Sequence, residues 1–358
     1  MRLFLERLLR CPNTKATLTK LVFVEVDGET IDGVFIGPNG FAYPIVNGIP
    51  RMLPDAFDLF PEFVLKYQNE LNANGIEYRK VGSLSSAEHA LKKRTQETFG
   101  YQWNQFPDMV EQNRKFFITN YSSVPEAFFK GKLGLDAGCG FGRHIYYSSE
   151  CGATMIGLDY SAAIDAAAKV TNGKPNIHLV QGDIFNPPFA DETFDFFYSF
   201  GVLHHLPDPL KGFCSLLPKV KRGGSAFVWL YGKQRKVLNG ILEAMRFFSK
   251  RLPMSVLKPI ALVLAVVDYY CVILPYKVVS TIFPIEKIFP VFKTGRFSIY
   301  TKLPFKITYA DWFDRLSPPL RYYYDEHDLN EWVVAGNLKN ERIQATGKFG
   351  WKLYGERE

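Results

Sequence analysis

The sequence predicts an α/β protein with a doubly wound, mostly parallel β-sheet. From Lys132 to Tyr231, short apolar segments with the length of a strand alternate with segments of helical periodicity. Strands that alternate with short helices pair in parallel and are covered by helices on both faces. Apolar residues make up 47% of the 358 residues, which is enough to bury a sizeable core and excludes a wholly disordered chain.

Two segments precede this core. Residues 1–54 are predicted to form a small β-rich domain, because apolar runs at 18–26 and 33–46 alternate with Asp-Gly and Pro-Asn-Gly turns. Residues 55–98 are polar and are predicted to be a linker that ends in a helix. The charged N-terminus makes a poor signal peptide, so we do not expect secretion.

The core is predicted in two parts, residues 99–231 and 306–358. The first part has predicted strands at 133–135, 155–158, 177–180, 194–199 and 225–231, with helices at 143–149, 162–170 and 210–220. The second part adds a helix at 328–334 and strands at 341–346 and 350–354. The five cysteines are widely spaced and form no C-x-x-C pair. We therefore expect neither disulfides nor a metal, and a reducing cytoplasm as the compartment.

A glycine-rich loop follows the first strand of the core. It runs from Asp136 to Gly142 and places glycines at Gly138, Gly140 and Gly142. Glycine lets the backbone turn sharply and lets a ligand approach the main chain, and such loops lie at the carboxyl edge of a parallel sheet, where ligands bind. The G-x-G-x-G spacing departs from the dinucleotide pattern, whose third glycine is replaced by Arg143. A nucleotide-dependent dehydrogenase is therefore disfavoured.

Carboxylates end the next two strands. Asp159 ends the second strand, and its two oxygens can accept from both hydroxyls of a ribose. Asp183 ends the third strand and can accept from an adenine amino group.

This ordered set resembles the class I S-adenosylmethionine-dependent methyltransferases, which are Rossmann-like folds with a seven-stranded sheet. The resemblance implies S-adenosyl-L-methionine as the cofactor, with Gly138 and Gly140 at its methionine part and Asp136 bracing the loop. It implies that Asp159 binds the ribose and that Asp183 and Ile184 meet the adenine. The residues that it further places at the cofactor are Gly142, Tyr160, Ser199 and Trp103, the last from an aromatic segment at 99–106 that some relatives fold over the cofactor.

The N-terminal segment carries a second resemblance. Cys11-Pro12-Asn-Thr14, together with the run from Tyr43 to Pro54, is similar to the small zinc-ribbon-like domain that activates some methyltransferases. The zinc-binding form uses C-P-x-C, and Thr14 stands here in place of the second cysteine. Because zinc needs about four ligands, we expect a metal-free copy that serves packing or partner contact.

Methyl transfer in line from a sulfonium needs a general base only when the acceptor is protonated. His205, after the fourth strand, could take a hydroxyl proton, although packing explains it equally well. His204 is interpreted as a packing residue. The motif Asn186-Pro-Pro-Phe189 is found in amino-group methyltransferases, but here it precedes the fourth strand, so we interpret it as a proline turn.

Residues 232–305 are predicted to be an apolar helical insertion. The runs 259–267 and 269–276 are uncharged, and Lys and Arg residues flank them. A spanning helix needs about 20 apolar residues, and Asp268 and Pro275 argue against one. We favour a cap whose apolar face forms an acceptor pocket. The alternative is a helix in a membrane interface, with Lys and Arg on the headgroups.

The sequence thus predicts an enzyme, an S-adenosylmethionine-dependent methyltransferase acting on an oxygen of a small-molecule, glycan or lipid-linked acceptor. An RNA or protein methyltransferase is the first alternative, suggested by the formal charge of +7 and the activator-like N-terminus. Because the basic residues form no patch interleaved with aromatics outside the insertion, a nucleic-acid partner is not expected. A non-catalytic cofactor-binding scaffold is the second alternative. The oligomeric state is left open, and a peripheral position on the inner face of a membrane would follow from a lipid-binding insertion.

Overall fold

Two β-sheets organise the chain in the computed structural model, which describes residues 1–76, 97–101, 122–283 and 300–358 and the single positions 94, 114, 117, 118 and 297. The strands are β1 Thr19–Val26, β2 Glu29–Ile36, β3 Ala42–Val46, β4 Ile49–Pro50, β5 Leu133–Ala137, β6 Thr154–Asp159, β7 Ile177–Gln181, β8 Phe194–Phe200, β9 Val220–Tyr231, β10 Leu338–Thr346 and β11 Gly350–Arg357. The helices are α1 Leu3–Leu8, α2 Ala56–Leu59, α3 Pro61–Lys66, α4 Gln68–Ala73, α5 Arg143–Glu150, α6 Ala163–Val170, α7 Pro209–Leu216, α8 Lys236–Ser249, α9 Met254–Asp268, α10 Leu274–Ile282, α11 Phe305–Leu316 and α12 Glu326–Ala335.

The larger sheet has seven strands in the order β10-β11-β9-β8-β5-β6-β7. Strands β5 to β9 are parallel, and β10 and β11 pair antiparallel at one edge. All five residues of β7 are buried, as expected for a strand covered on both faces. This architecture confirms the predicted doubly wound, mostly parallel fold.

The chain leaves β5 in one direction toward β6 and β7 and returns on the other side as β8. In doubly wound sheets a crevice forms at such a reversal, outside the carboxyl ends of the strands. The loops after β5, β6, β7 and β8 therefore meet at one edge, and most of the predicted site residues lie on these loops or at the strand ends that lead into them.

The smaller sheet, in the order β1-β2-β3-β4, is antiparallel. Helices α2 to α4 pack on it through an apolar cluster that includes Phe57, Phe63 and Tyr67. Its last strand leads directly to the larger sheet, where the Met52 amide donates to the Gln181 carbonyl at 2.7 Å. The small sheet thus rests on the end of β7.

The insertion consists of α8, then a continuous helix from Met254 to Ile282 that includes α9, a π-helical turn (Tyr269–Ile273) and α10. By length and apolar composition, this one helix among the described residues could cross a membrane. Helix α11 packs on α9 through Phe313 and Leu316. Helix α11, which begins at the predicted boundary at 305/306, thus presents its apolar side to α9.

Candidate active site

The loop after β5 is held by the end of β6. The amides of Gly138 and Cys139 both donate to the Leu158 carbonyl, at 2.7 and 3.0 Å. The Gly140 amide donates to Asp159 Oδ2 at 2.8 Å. Gly138 has a φ of +91°, and a Cβ there would lie 2.4 Å from a methyl group of Val202. The loop therefore requires glycine at this position, for its backbone angle and for the space.

Asp159 is part of this support. Its Oδ1 accepts from the Ser161 amide at 2.8 Å and from the Ser161 hydroxyl at 2.7 Å. Burial raises the pKa of Asp159 above its usual value, against the hydrogen bonds from Ser161 and Gly140, which lower it. One carboxylate thus fixes the glycine loop and also lies in the wall of the crevice.

Asp183 and Ile184 follow β7. Asp183 Oδ1 accepts from the Phe185 amide at 2.9 Å, which closes a tight turn. Tyr160 lies beside this turn, and burial raises the pKa of its hydroxyl, with the charges of Asp55 and Asp183 adding to the effect.

A crevice of about 1110 Å³, including the solvent at its mouth, opens at this edge of the sheet. Seven of the predicted site residues lie in its walls: Gly138, Gly140, Asp159, Tyr160, Asp183, Ile184 and His205. They come from the ends of β5, β6, β7 and β8, so the fold brings together residues that are far apart in the sequence.

Three predicted residues lie elsewhere. Asp136 is buried below the loop, where burial and the nearby charge of Asp159 raise its pKa well above the usual range. Gly142 faces α6, and a Cβ there would meet Ala167 at 3.2 Å. Ser199 is buried, and its hydroxyl donates to the Ala137 carbonyl at 2.7 Å. These three residues lie behind the loop, where Asp136 was expected to brace it, and they do not line the crevice. Trp103 lies outside the described residues.

The two histidines after β8 differ in their surroundings. His205 lies in the wall of the crevice, with Nδ1 2.7 Å from the Leu320 carbonyl. A carbonyl only accepts, so Nδ1 carries the proton and Nε2 of the neutral ring keeps a lone pair. Burial, with the charge of Arg321, lowers the pKa of His205 to about 3. His204 has no exposed surface and packs its ring 4.1 Å from that of Tyr231.

The sequence did not single out several other wall residues: Cys139, Phe141, Arg143, His144, Phe200, Val202 and Asp314. Arg143 follows the glycine loop directly, and that position could have identified it. Asp314 comes from α11, and its Oδ2 accepts from the Tyr231 hydroxyl at 3.2 Å and from Arg321 at 3.3 Å. No local pattern in the sequence links α11 to the end of β9.

One group of side chains in the described part of the chain has the spacing of a metal site, namely Asp325, His327 and Asp328. Lys233 forms ion pairs with both carboxylates, at 3.0 and 2.7 Å, and the two acids also cap α12. Charge pairing and helix capping therefore account for this cluster.

Residues 135–228 match the family model described as a methyltransferase domain. The tRNA (carboxymethyluridine(34)-5-O)-methyltransferase of Saccharomyces cerevisiae is 30% identical over 136 residues, which cover 36% of this chain and 47% of the relative. The ubiquinone biosynthesis O-methyltransferase of Pseudomonas fluorescens is 28% identical over 126 residues, which cover 34% and 54%. A solved S-adenosylmethionine-dependent methyltransferase from Mesorhizobium loti is 27% identical, with a TM-score of 0.28, over 31% of this chain and 50% of that one. The chain spans about half the length of the curated relatives that it matches, and the matched segment is similar to a methyltransferase domain.

Proposed function

We propose that the protein is an S-adenosylmethionine-dependent methyltransferase that methylates an oxygen of a small-molecule, glycan or lipid-linked acceptor. The observation that carries the proposal is the order of groups across the crevice. Asp183, Asp159 and the glycine loop lie on β7, β6 and β5, and His205 follows β8 on the other side. Asp314, bonded to Tyr231 at the end of β9, extends this second side.

The first side fits the cofactor. The Asp159 oxygens can accept from the ribose hydroxyls, and the turn at Asp183 and Ile184 would meet the adenine. The bare backbone at Gly138 and Gly140 would receive the methionine part, because glycine lets a ligand approach the main chain closely. When bound, the cofactor supplies an electrophilic methyl group on a sulfonium.

His205 would act on the second side. Its Nε2 lone pair can accept a hydrogen bond from an acceptor hydroxyl and so point an oxygen lone pair at the methyl carbon. As the O–C bond forms and the C–S bond breaks, the electron pair stays on sulfur and the hydroxyl proton becomes strongly acidic. A base whose pKa is about 3 is strong enough to accept this acidic proton, which then passes to solvent.

The small N-terminal sheet would support the adenine side. Arg51 donates to Gln181 Oε1 at 3.2 Å, and Gln181 Nε2 donates to the Tyr160 carbonyl at 3.2 Å. Through these bonds the sheet holds the segments that carry Asp183 and Tyr160. We therefore assign it a supporting role like that of an activator domain, within the same chain.

The first test is calorimetric titration with S-adenosylmethionine. We expect the wild type to bind, and Asp159→Ala to weaken binding by about 10- to 100-fold, the loss of hydrogen bonds to a charged group. Asp58→Ala, an exposed acid on α2, is the matched control and should bind as the wild type does. A wild type that does not bind the cofactor would contradict the proposal, and unchanged binding by Asp159→Ala would contradict the assigned site.

The second test concerns the acceptor. Cell extract is incubated with the protein and cofactor labelled in the methyl group, and is then separated into lipid, small-molecule and glycan, RNA and protein fractions. We expect label in the lipid or in the small-molecule and glycan fraction, reduced by His205→Ala while cofactor affinity is kept. Label confined to RNA or protein would overturn the proposed acceptor class in favour of the alternatives.

A further inference from the structure

The continuous helix from Met254 to Ile282 has the opposite polarity pattern to a surface helix of a water-soluble protein, because its exposed side is apolar. Its inward stripe is Leu257, Ala261, Ala265 and Asp268, which lie one helical turn apart and face α11. Its outward residues are mostly apolar: Val256, Ile260, Leu262, Val263, Val266, Val267, Tyr270, Val272, Leu274, Val278, Val279 and Ile282 are all exposed. An exposed apolar patch of this extent marks a contact with a partner or a membrane.

The charges of this helix follow the same pattern. Asp268, the single acid in the segment, is buried and accepts from Trp312 Nε1 at 2.7 Å. Between Lys258 and Lys277 the outward face therefore carries no charged side chain. A surface helix in water places its charged residues on the exposed face, so this face is built for an apolar medium.

Basic residues surround the apolar face. Residues 232–283 contain eight Lys and Arg and two acids, Glu243 and Asp268, a net charge of +6. The formal charge of the whole chain is +7. The net charge of residues 232–283 is thus close to that of the whole chain, and Arg251 and Lys277 are exposed beside the apolar residues. An apolar face bordered by cations complements a surface that is apolar inside and anionic at its rim.

We propose that the outward face of residues 254–282 docks on an anionic lipid bilayer, with the helix lying in the plane of the interface. Interfacial helices have this combination of an apolar face and Lys and Arg at its edges. The helix does not cross the bilayer, because its inward stripe is covered along α9 by α11. A second copy of the chain is disfavoured as the occupant, because two such faces would bring together two segments of charge +6.

The docked face lies close to the crevice. Helix α11 contacts α9 with Phe313 and Leu316, and its Asp314 lines the crevice. Helices α9 and α11, each about 10 Å thick, therefore separate the proposed bilayer contact from the acceptor side. The contact itself does not depend on the proposed methyl transfer.

The test is sedimentation of the full-length protein with vesicles of phosphatidylcholine, alone or mixed with phosphatidylglycerol. We expect binding to the mixed vesicles that weakens at high salt. Val263→Glu/Val267→Glu introduces charge on the apolar face, where the two side chains are 60% and 52% exposed. Because each valine loses its apolar contact, we expect binding to fall by about 100-fold.

Two further variants complete the design. Val334→Glu changes a valine that is 80% exposed on α12 and should bind vesicles as the wild type does. Arg251→Glu/Lys277→Glu should lose most of the preference for phosphatidylglycerol, about fivefold for each charge. Circular dichroism and cofactor titration on every variant separate lost binding from lost folding.

Three outcomes would overturn the proposal. The first is a wild type that does not bind mixed vesicles, and the second is a Val263→Glu/Val267→Glu variant that binds them as the wild type does. The third is a wild-type dimer that persists in the presence of vesicles and is dissociated by the same two substitutions. Vesicle binding without cofactor binding would keep this inference and contradict the proposed function, so the two fail separately.

Discussion

Gly138 and Val202 determine how closely the loops after β5 and β8 approach each other. The Gly138 backbone is left-handed, and its Cα faces the Val202 side chain with no room for a further atom. This contact joins the two sides of the crevice, the glycine loop and the turn that leads to His205. The geometry of the proposed transfer depends on it.

Gly138→Ala is expected to destabilise the protein by about 3 kcal/mol, the sum of left-handed strain and overpacking, and to weaken cofactor binding. Urea unfolding and calorimetric titration measure the two effects. Gly173→Ala is the matched control, because its φ is +78° but a Cβ there meets nothing within 4 Å. It should show the strain alone, about 1 kcal/mol. Equal losses for both variants would refute the role of the Val202 contact.

The sequence indicates which residues lie at strand ends but not which way they face. Asp159 and Asp183 were predicted at the crevice because a strand that ends in a carboxylate presents it at the sheet edge. Gly142 and Ser199 fit the same pattern, yet Gly142 serves the packing of α5 on α6, and Ser199 bonds to the neighbouring strand. Such a choice depends on helix and strand packing in three dimensions.

At the scale of elements, a buried cation, Arg51, links the small sheet to helix α6 of the larger sheet. The Arg51 side chain is 1% exposed, forms an ion pair with Asp165 of α6 at 2.6 Å, and lies 4.6 Å from the centre of the Phe60 ring. A buried charge is tolerated only with its partners in place. Arg51 thus makes the contact between the sheets specific.

Asp165→Ala should destabilise the protein by about 3 kcal/mol, near the lower end for a broken buried pair because Asp165 is partly exposed. The double variant Arg51→Met/Asp165→Ala removes both charges and should recover most of this loss. Urea unfolding provides the measurement. Glu150→Ala, which breaks a surface pair with Lys174, is the control and should cost less than about 1 kcal/mol. A double variant as unstable as Asp165→Ala would show that Arg51 acts through its packing.

Periodicity predicted the strands of the larger sheet within about five residues, because alternation and turn residues are local signals. In the small sheet, the single apolar run at 33–46 spans part of β2 and all of β3. Periodicity did not place α11. Helix α11 packs on the inward stripe of α9 through Phe313 and Leu316. Long-range pairing of this kind has no local signature.

At the scale of the whole molecule, charge and apolar surface coincide. Residues 1–231 and 306–358 together carry a net charge of −2, whereas residues 232–305 carry +9. A field concentrated in this way orients a molecule as it approaches an anionic surface. The insertion would therefore arrive at the surface first, with the crevice beside it.

Stability against acid is also a property of the whole molecule. His144, His178, His204 and His205 are all buried, and burial lowers the pKa of each. In the unfolded chain these histidines would titrate near pH 6.5. As the pH falls below about 6.5, the unfolded state binds protons that the folded state does not bind, so the free energy of unfolding decreases. The raised pKa of Asp159 acts in the opposite direction, because its charged form costs stability at neutral pH and this cost is relieved as the pH falls and the folded state takes up the proton first.

His178 allows a measurement away from the crevice. It lies on β7 against Phe4 of α1, 5.1 Å between ring centres, and its pKa is lowered to about 4 by burial and by the charges of Arg2 and the N-terminus, against Glu29. Between about pH 7.5 and pH 5 it should account for about 2 kcal/mol of the lost stability. Urea unfolding of His178→Gln at the two pH values should show a decrease smaller by that amount. His327→Gln, at an exposed histidine of α12, should keep the decrease of the wild type. An equal decrease in all three proteins would mean that His178 becomes charged within the folded state, and that the contact between α1 and β7 opens before the molecule unfolds.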